Sequence, residues 1–188
     1  MNWISSPFWD GRYGIVVATD IAVYEDGPAR CTGGAGAIAL LIGPKPKIVF
    51  QRERATFMDN AYDFYKPNPS TFTIIKGSEY PTVDGKLSID CYLRAIEECY
   101  RKLKEKCGNI NLLNMDYFCF HSPFYKMVQK AFYKLIKIEN SSLSDKECYT
   151  RFMEKVHPTL HISQRIGNIY TGSLFSCLIS LLLKGDKV

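Results

Sequence analysis

Gly14-Ile15-Val16-Val17-Ala18-Thr19-Asp20-Ile21-Ala22-Val23-Tyr24 opens on a β-branched apolar run and ends at the turn-forming Glu25-Asp26-Gly27-Pro28. Apolar residues at nearly every position, not every second one, predict a fully buried strand in the middle of an α/β sheet. Asp20 interrupts the run. A carboxylate there costs roughly several kcal/mol unless it is paired or hydrogen-bonded, so Asp20 either orients another group or marks the strand's exposed end. Downstream, Gly34 to Ile42 (GAGAIALLI) reads as a second buried strand that stops at Gly43-Pro44. Its many small residues imply close backbone approach, to a neighbouring element or to a ligand. Ile48 to Phe50 predicts a short third strand.

Residues 59–83 are irregular and rich in proline and aromatic side chains, and a loop of that length usually serves a purpose. From Asp84-Gly85 the pattern turns helical. Ile89, Tyr92, Leu93, Ile96, Tyr100 and Leu103 follow three- and four-residue spacing, Glu97–Arg101 and Glu98–Lys102 are candidate ion pairs, and Gly108 stops the helix. Asp116 to His121 (DYFCFH) is short, aromatic and strand-like, with Ser122-Pro123 as cap and first residue of the next helix. That helix carries Phe124, Met127, Val128, Ala131, Phe132 and Leu135 on its apolar face. A further helix is expected near Glu147–Val156, then a polar turn over 163–171 and a buried final helix from Leu174 to Leu183, ending at Gly185. Strands alternate with helices, so the fold class is α/β.

The chain has 188 residues, with 24 Lys+Arg against 19 Asp+Glu, 46% hydrophobic and 13% aromatic residues. Such a composition excludes intrinsic disorder. The longest apolar run is about half the roughly 18–20 residues that span a bilayer, so no membrane association is expected. The net charge of +5 permits an anionic partner without demanding nucleic acid. Seven cysteines occur without any C-x-x-C pair, and no signal peptide opens the sequence. Reduced thiols, no metal site and a cytoplasmic location are therefore expected, with a mitochondrial form as the alternative.

His121 is the strongest local candidate for chemistry. It stands where a strand ends and a helix begins, the place where α/β proteins tend to put functional groups. The bland alternative is a half-buried histidine bonded to backbone. Lys126, Lys130, Lys134 and Lys137 form one basic stripe on the following helix. A solvated face is the usual meaning of such a run, although phosphates near its start would meet helix N–H groups and two lysines together. Cys31, in Cys31-Thr32-Gly33-Gly34-Ala35-Gly36, is a candidate thiol nucleophile with His121 as base, but it does not stand at a helix N-terminus. The glycines lack the context of a dinucleotide fingerprint, since a strand follows them. Asp63, in Tyr62-Asp63-Phe64-Tyr65, could be walled in by aromatic rings or could be a surface aspartate. His157 and His161 read as structural.

Several strings together resemble the hydroxymethylglutaryl-CoA synthase family of the thiolase-like superfamily. They are Trp9-Asp10-Gly11-Arg12-Tyr13, Asp20-Ile21-Ala22-Val23-Tyr24, Thr32-Gly33-Gly34-Ala35-Gly36-Ala37 and Ala61-Tyr62-Asp63-Phe64-Tyr65-Lys66-Pro67. Ser78-Glu79-Tyr80-Pro81, Val83-Asp84-Gly85-Lys86-Leu87-Ser88, Phe120-His121-Ser122-Pro123 and Gly167-Asn168-Ile169-Tyr170-Thr171-Gly172-Ser173 follow in order. The resemblance implies a thiolase-like layered αβαβα fold, incomplete at both ends. Residues 1–66 would be the end of the N-terminal half, and residues 67–188 the substrate loop and the beginning of the C-terminal half.

It also implies an acyltransferase of the mevalonate route to isoprenoids and sterols, condensing acetyl-CoA with acetoacetyl-CoA without metal or redox cofactor. In that family an acetyl group passes to a cysteine, a glutamate helps form the enolate, and the enolate attacks the ketone of acetoacetyl-CoA. His121 matches the histidine that positions acetoacetyl-CoA and polarises the ketone. Asp20 and Asp63 match supporting carboxylates, and Thr32, Ser88, Asn168 and Tyr170 fall at substrate-contacting positions. Lys126 and Lys130 match lysines that contact CoA. The resemblance removes Cys31 from the nucleophile's role and places nucleophile and glutamate upstream of Met1, so no turnover is expected of the chain alone. A homodimer is expected of the full-length form. The alternative is an inactive paralogue that binds CoA esters or pairs with a full-length subunit. Phe57 replaces a histidine near substrate, Pro28 a CoA-contacting asparagine, and the segment Asn68 to Gly77 is longer than usual.

Overall fold

The computed structural model describes residues 2–65 and 80–184. The expected insertion at Asn68 to Gly77, the boundary at residues 66 and 67, and the helix stop at Gly185 lie outside those residues.

Strands β1 (Gly14–Ile21) and β2 (Ala35–Ile42) pair antiparallel, with Gly14 opposite Ile42 and Ile21 opposite Ala35. Two-residue strands β3 (Phe64–Tyr65) and β4 (Thr82–Val83) form a second antiparallel pair. Five α-helices follow among the described residues: α1 (Gly85–Cys107), α2 (Tyr125–Glu139), α3 (Asp145–Lys155), α4 (Ser163–Ile166) and α5 (Ser173–Leu183).

The first two strands are where expected but are not buried on both faces. Ala18 and its partner Ile38 are buried on one face, where Ile169 lies against Gly36. On the other face Ile15, Val17, Ile21 and Leu41 are each at least 60% exposed. The sequence is apolar on both faces, and the described residues cover one of them. Ile48 to Phe50 is irregular and exposed, not a strand.

α1 begins and ends on local chemistry. The Asp84 carboxylate accepts the Leu87 N–H at 3.0 Å, and Gly108 takes φ 61° while donating to the Lys104 carbonyl. That left-handed turn is open to glycine at little cost. The expected ion pairs are replaced. Arg101 binds Glu98 at 2.8 Å and Glu105 at 2.5 Å, whereas Glu97 crosses to Lys134 of α2 at 2.6 Å. Ser144 caps α3 in a reciprocal capping box with Glu147.

The core lies between the helices. α2 buries Met127, Val128, Ala131, Phe132, Leu135 and Ile136, the face its spacing predicts with Ile136 gained and Phe124, exposed ahead of the helix, lost. Phe132 meets Phe118 and Phe152 with ring centroids 5.3 and 6.1 Å apart. α5 reverses the sequence expectation. Ser173, Ser176, Cys177 and Ser180 form its buried face, while Leu174, Leu182 and Leu183 are exposed. Small side chains let this helix sit close to its neighbours, and the hydroxyls find partners: Ser176 and Ser180 donate to carbonyls one turn back, at 2.7 and 2.8 Å.

Two expectations at the start of α2 also change. Asp116 to His121 is irregular and pairs with no strand among the described residues. Ser122 does not cap α2. Its N–H is taken by the Ser173 hydroxyl at 2.9 Å, and the helix starts at Tyr125 after an extended Phe124. No helix among the described residues is long and apolar enough to cross a membrane.

Candidate active site

A cavity of about 730 Å³ opens where the β1–β2 link, the start of α1 and the start of α2 meet. Thr32, Pro28 and Tyr24 form one wall, and Gly85, Ser88, Ile89 and Tyr92 present one face of α1 as another. His121 and Phe124, on the segment leading into α2, and Met127 on its first turn close it, with Asn168 and Tyr170 on the remaining side. Its surface is mainly apolar, with a few polar groups converging, which is the usual character of a small-molecule site.

Two glycine strings bring the polar groups together. Asn168 donates its N–H to the Thr32 carbonyl at 2.9 Å, and Gly33 bridges to Asn168. A side chain on Gly34 would lie 2.0 Å from the Ile166 carbonyl oxygen, and Gly167 takes φ 77° with its own missing side chain 2.8 Å from the Gly33 oxygen. Only residues without a Cβ let these segments touch. The Asn168 side-chain oxygen accepts the Tyr170 N–H at 2.8 Å, which leaves the amide NH₂ to donate elsewhere. Thr32 spends its hydroxyl proton on the Ala29 carbonyl at 2.8 Å.

His121 is exposed on its cavity side, yet the protein packed around it lowers its pKa by desolvation. The imidazole is therefore neutral at neutral pH, with one ring nitrogen as donor. Asp63 also lines the cavity, and its carbonyl accepts the Asp84 N–H at 2.8 Å, tying this segment to the start of α1.

The structure thus gathers Thr32, Asp63, Ser88, His121, Asn168 and Tyr170 around one space. Three expected residues stand elsewhere. Asp20 lies outside the lining and accepts the Thr171 hydroxyl at 2.6 Å, which lowers its pKa. It holds the turn that carries Tyr170, whose phenol is pushed up by burial. Thr171→Val is expected to raise the Asp20 pKa towards the ordinary carboxylate value, read by carboxyl NMR. Because the folded-state pKa is depressed, this contact stabilises the protein well above about pH 4 and is lost as pH falls through the Asp20 pKa.

Lys126 and Lys130 are the other two. They are exposed on the first two turns of α2 and do not line the cavity. Further along their stripe, Lys134 pairs with Glu97 and Lys137 with Asp145, both at 2.6 Å. Lys126 and Lys130 have no carboxylate partner among the described residues, so the stripe divides into a structural half and an uncommitted half. Cys31 is exposed, bonds the Pro28 carbonyl at 3.1 Å and stays outside the cavity. Phe57 lines a smaller pocket of about 310 Å³ that shares Asp63 and Cys91 with the main one. The described residues contain no cluster of three or more metal-binding side chains.

Sequence reasoning missed Tyr24, Tyr92, Phe124 and Met127 as lining residues. A signal existed for Tyr92: it stands four residues after Ser88, on the same helical face. Tyr24 packs against Phe64 and Tyr170 with centroids 5.8 and 6.2 Å apart, contacts that no spacing announces.

Comparison with known proteins accounts for the whole chain. Residues 1–47 match the family model "Hydroxymethylglutaryl-coenzyme A synthase N terminal". Residues 48–149 and 138–188 match "Hydroxymethylglutaryl-coenzyme A synthase C terminal" in two stretches that overlap around the α2–α3 link. The mitochondrial hydroxymethylglutaryl-CoA synthase of Mus musculus is 44% identical over 224 aligned positions, covering 96% of this chain and 43% of that protein. The alignment is longer than the 188-residue chain, so at least 36 of its positions have no counterpart here. Among solved structures, the HMG synthase of the curacin biosynthetic pathway shares 29% identity at a TM-score of 0.85, covering 98% of this chain and 43% of that one. An HMG-CoA synthase complexed with CoA shares 32% identity at a TM-score of 0.74, covering 94% of this chain and 42% of that one. The chain spans less than half the length of these relatives, has the thiolase-like α/β fold, and belongs to the hydroxymethylglutaryl-CoA synthase family.

Proposed function

We propose that the chain forms the acetoacetyl-CoA side of a Claisen-type condensation centre, in which acetyl-CoA and acetoacetyl-CoA give hydroxymethylglutaryl-CoA. The observation that carries this reading is the convergence of a neutral imidazole, an amide NH₂ and a serine on one mainly apolar cavity. His121 donates a hydrogen bond to the ketone oxygen and strengthens it as that oxygen becomes an alkoxide. Asn168 donates to a second acyl oxygen. Lys126 and Lys130, uncommitted to carboxylates, meet the phosphates of CoA at the start of α2.

The condensation also needs a thiol to carry the acetyl group and a carboxyl group to move the α-proton. Among the described residues no glutamate lines the cavity and Cys31 is outside it, while Cys91 and Asp63, which do line it, match neither the acetyl-carrying cysteine nor the enolate-forming glutamate of the family. The chain alone is therefore expected to bind without turning over. Calorimetry should show acetoacetyl-CoA binding to the folded chain, weakened by Lys126→Ala with Lys130→Ala by roughly three- to tenfold. Purified chain should release no hydroxymethylglutaryl-CoA. No heat of binding would remove the reading. Steady turnover abolished by His121→Ala would overturn the division of labour.

A second reading is an inactive CoA-ester-binding subunit that pairs with a full-length family member. The bare outer face of β1 and β2, with Ile15, Val17, Ile21 and Leu41 exposed, favours it. Co-sedimentation with a full-length synthase supports pairing; independent migration at micromolar concentrations argues against it.

A further inference from the structure

The segment Phe118–Ser122 carries His121 into the cavity, yet no strand among the described residues pairs with it. Its backbone groups must still be satisfied. At the cavity end, side chains do this work. The Phe120 carbonyl accepts from the Cys177 thiol at 3.3 Å. The Ser122 N–H and carbonyl both bond the Ser173 hydroxyl, at 2.9 and 3.3 Å. Between them, the His121 carbonyl accepts the Tyr92 hydroxyl at 2.5 Å.

Tyr92 differs from the α5 side chains in two ways. It lines the cavity itself, and its ring lies 6.1 Å from the imidazole, tilted by 43°. The α5 contacts fix the residues on either side of His121; Tyr92 reaches His121 itself from α1. We propose that Tyr92 is a positioning residue, whose hydroxyl locks the His121 backbone while its ring sets the direction in which the imidazole meets the ketone. This rests on the reading that His121 faces the ketone of acetoacetyl-CoA. Without the hydroxyl, the peptide at His121 can rotate between its two α5 anchors and the ring swings with it. Hydrogen-bond catalysis depends on placement to a fraction of an ångström, so a small swing matters. Burial raises the Tyr92 phenol above its ordinary pKa, which keeps it a donor throughout the neutral range.

Tyr92→Phe removes the hydroxyl and keeps the ring. Tyr100→Phe is the matched control, because the Tyr100 hydroxyl, two turns along α1, is buried without a partner among the described residues. In Tyr92→Phe, the NMR titration midpoint of the His121 imidazole should rise towards the ordinary histidine value as the ring gains water. Acetoacetyl-CoA affinity should fall roughly fivefold, the size of one neutral hydrogen bond. Tyr100→Phe should change neither. An unchanged His121 titration in Tyr92→Phe would overturn the positioning role. A moved titration in a protein whose wild type binds no acetoacetyl-CoA would support the positioning role and remove the functional reading instead.

Discussion

Gly34→Ala is expected to reduce acetoacetyl-CoA affinity by more than about tenfold, and to lower the unfolding midpoint. The new methyl would stand 2.0 Å from the Ile166 carbonyl oxygen and 3.1 Å from that of Asn168. Both are backbone atoms, which cannot rotate away as the end of a side chain can. The two segments must part, at a cost of about 1–3 kcal/mol for overpacking alone. Parting them breaks the Asn168 N–H to Thr32 bond and draws two cavity walls away from each other. Gly36→Ala provides the comparison. Its methyl would meet side-chain carbons of Ile169 at 3.0–3.2 Å, which a shift of a few tenths of an ångström relieves. Calorimetry on both variants decides the point. A Gly34→Ala protein that binds as well as Gly36→Ala would show that close approach of the two segments does not build the site.

The same glycines show how far the sequence could be read. The string from Gly34 to Ile42 implied close approach, and it occurs at Ile166 and Asn168, more than 130 residues away. Composition alone could not name that partner. The helices were legible because their causes are local: Asp84 and Gly108 bracket α1, and the apolar spacing of α2 maps onto its buried face. Strand burial and the strand reading of Asp116 to His121 were not legible, because pairing and cover depend on distant chain. The α5 leucines misled for a related reason. Hydrophobicity marks what can be buried, while Ser173, Ser176 and Ser180 went inside because they are small and find hydrogen bonds, Ser176 and Ser180 one turn back and Ser173 across to Ser122. At the site, His121 was marked by its position at a chain junction. The residues Thr32, Ser88, Asn168 and Tyr170 came from resemblance, and their gathering around one cavity is a product of the fold.

Phe132→Ala should have the largest effect on stability. Phe132 is fully buried on α2 and packs against Phe118 and Phe152, joining α2 to α3 and to the segment that leads into His121. Truncating a core phenylalanine costs about 3–5 kcal/mol, through lost burial and the cavity left behind. Domains of this size have about 5–15 kcal/mol in all, so the variant should unfold at much lower urea, with an unchanged slope. Leu183→Ala, on an exposed leucine of α5, should stay within about 0.5 kcal/mol of wild type. Comparable losses in the two variants would contradict the placement of the core.

The proposed acetoacetyl-CoA site around His121 is tested most directly by amide and imidazole NMR spectra recorded while acetoacetyl-CoA is added to the chain by itself. Saturable shifts should gather on Thr32, Ser88, His121, Asn168 and Tyr170, with smaller ones at Lys126 and Lys130. Shifts confined to the bare face of β1 and β2, or none at millimolar ligand, would contradict it.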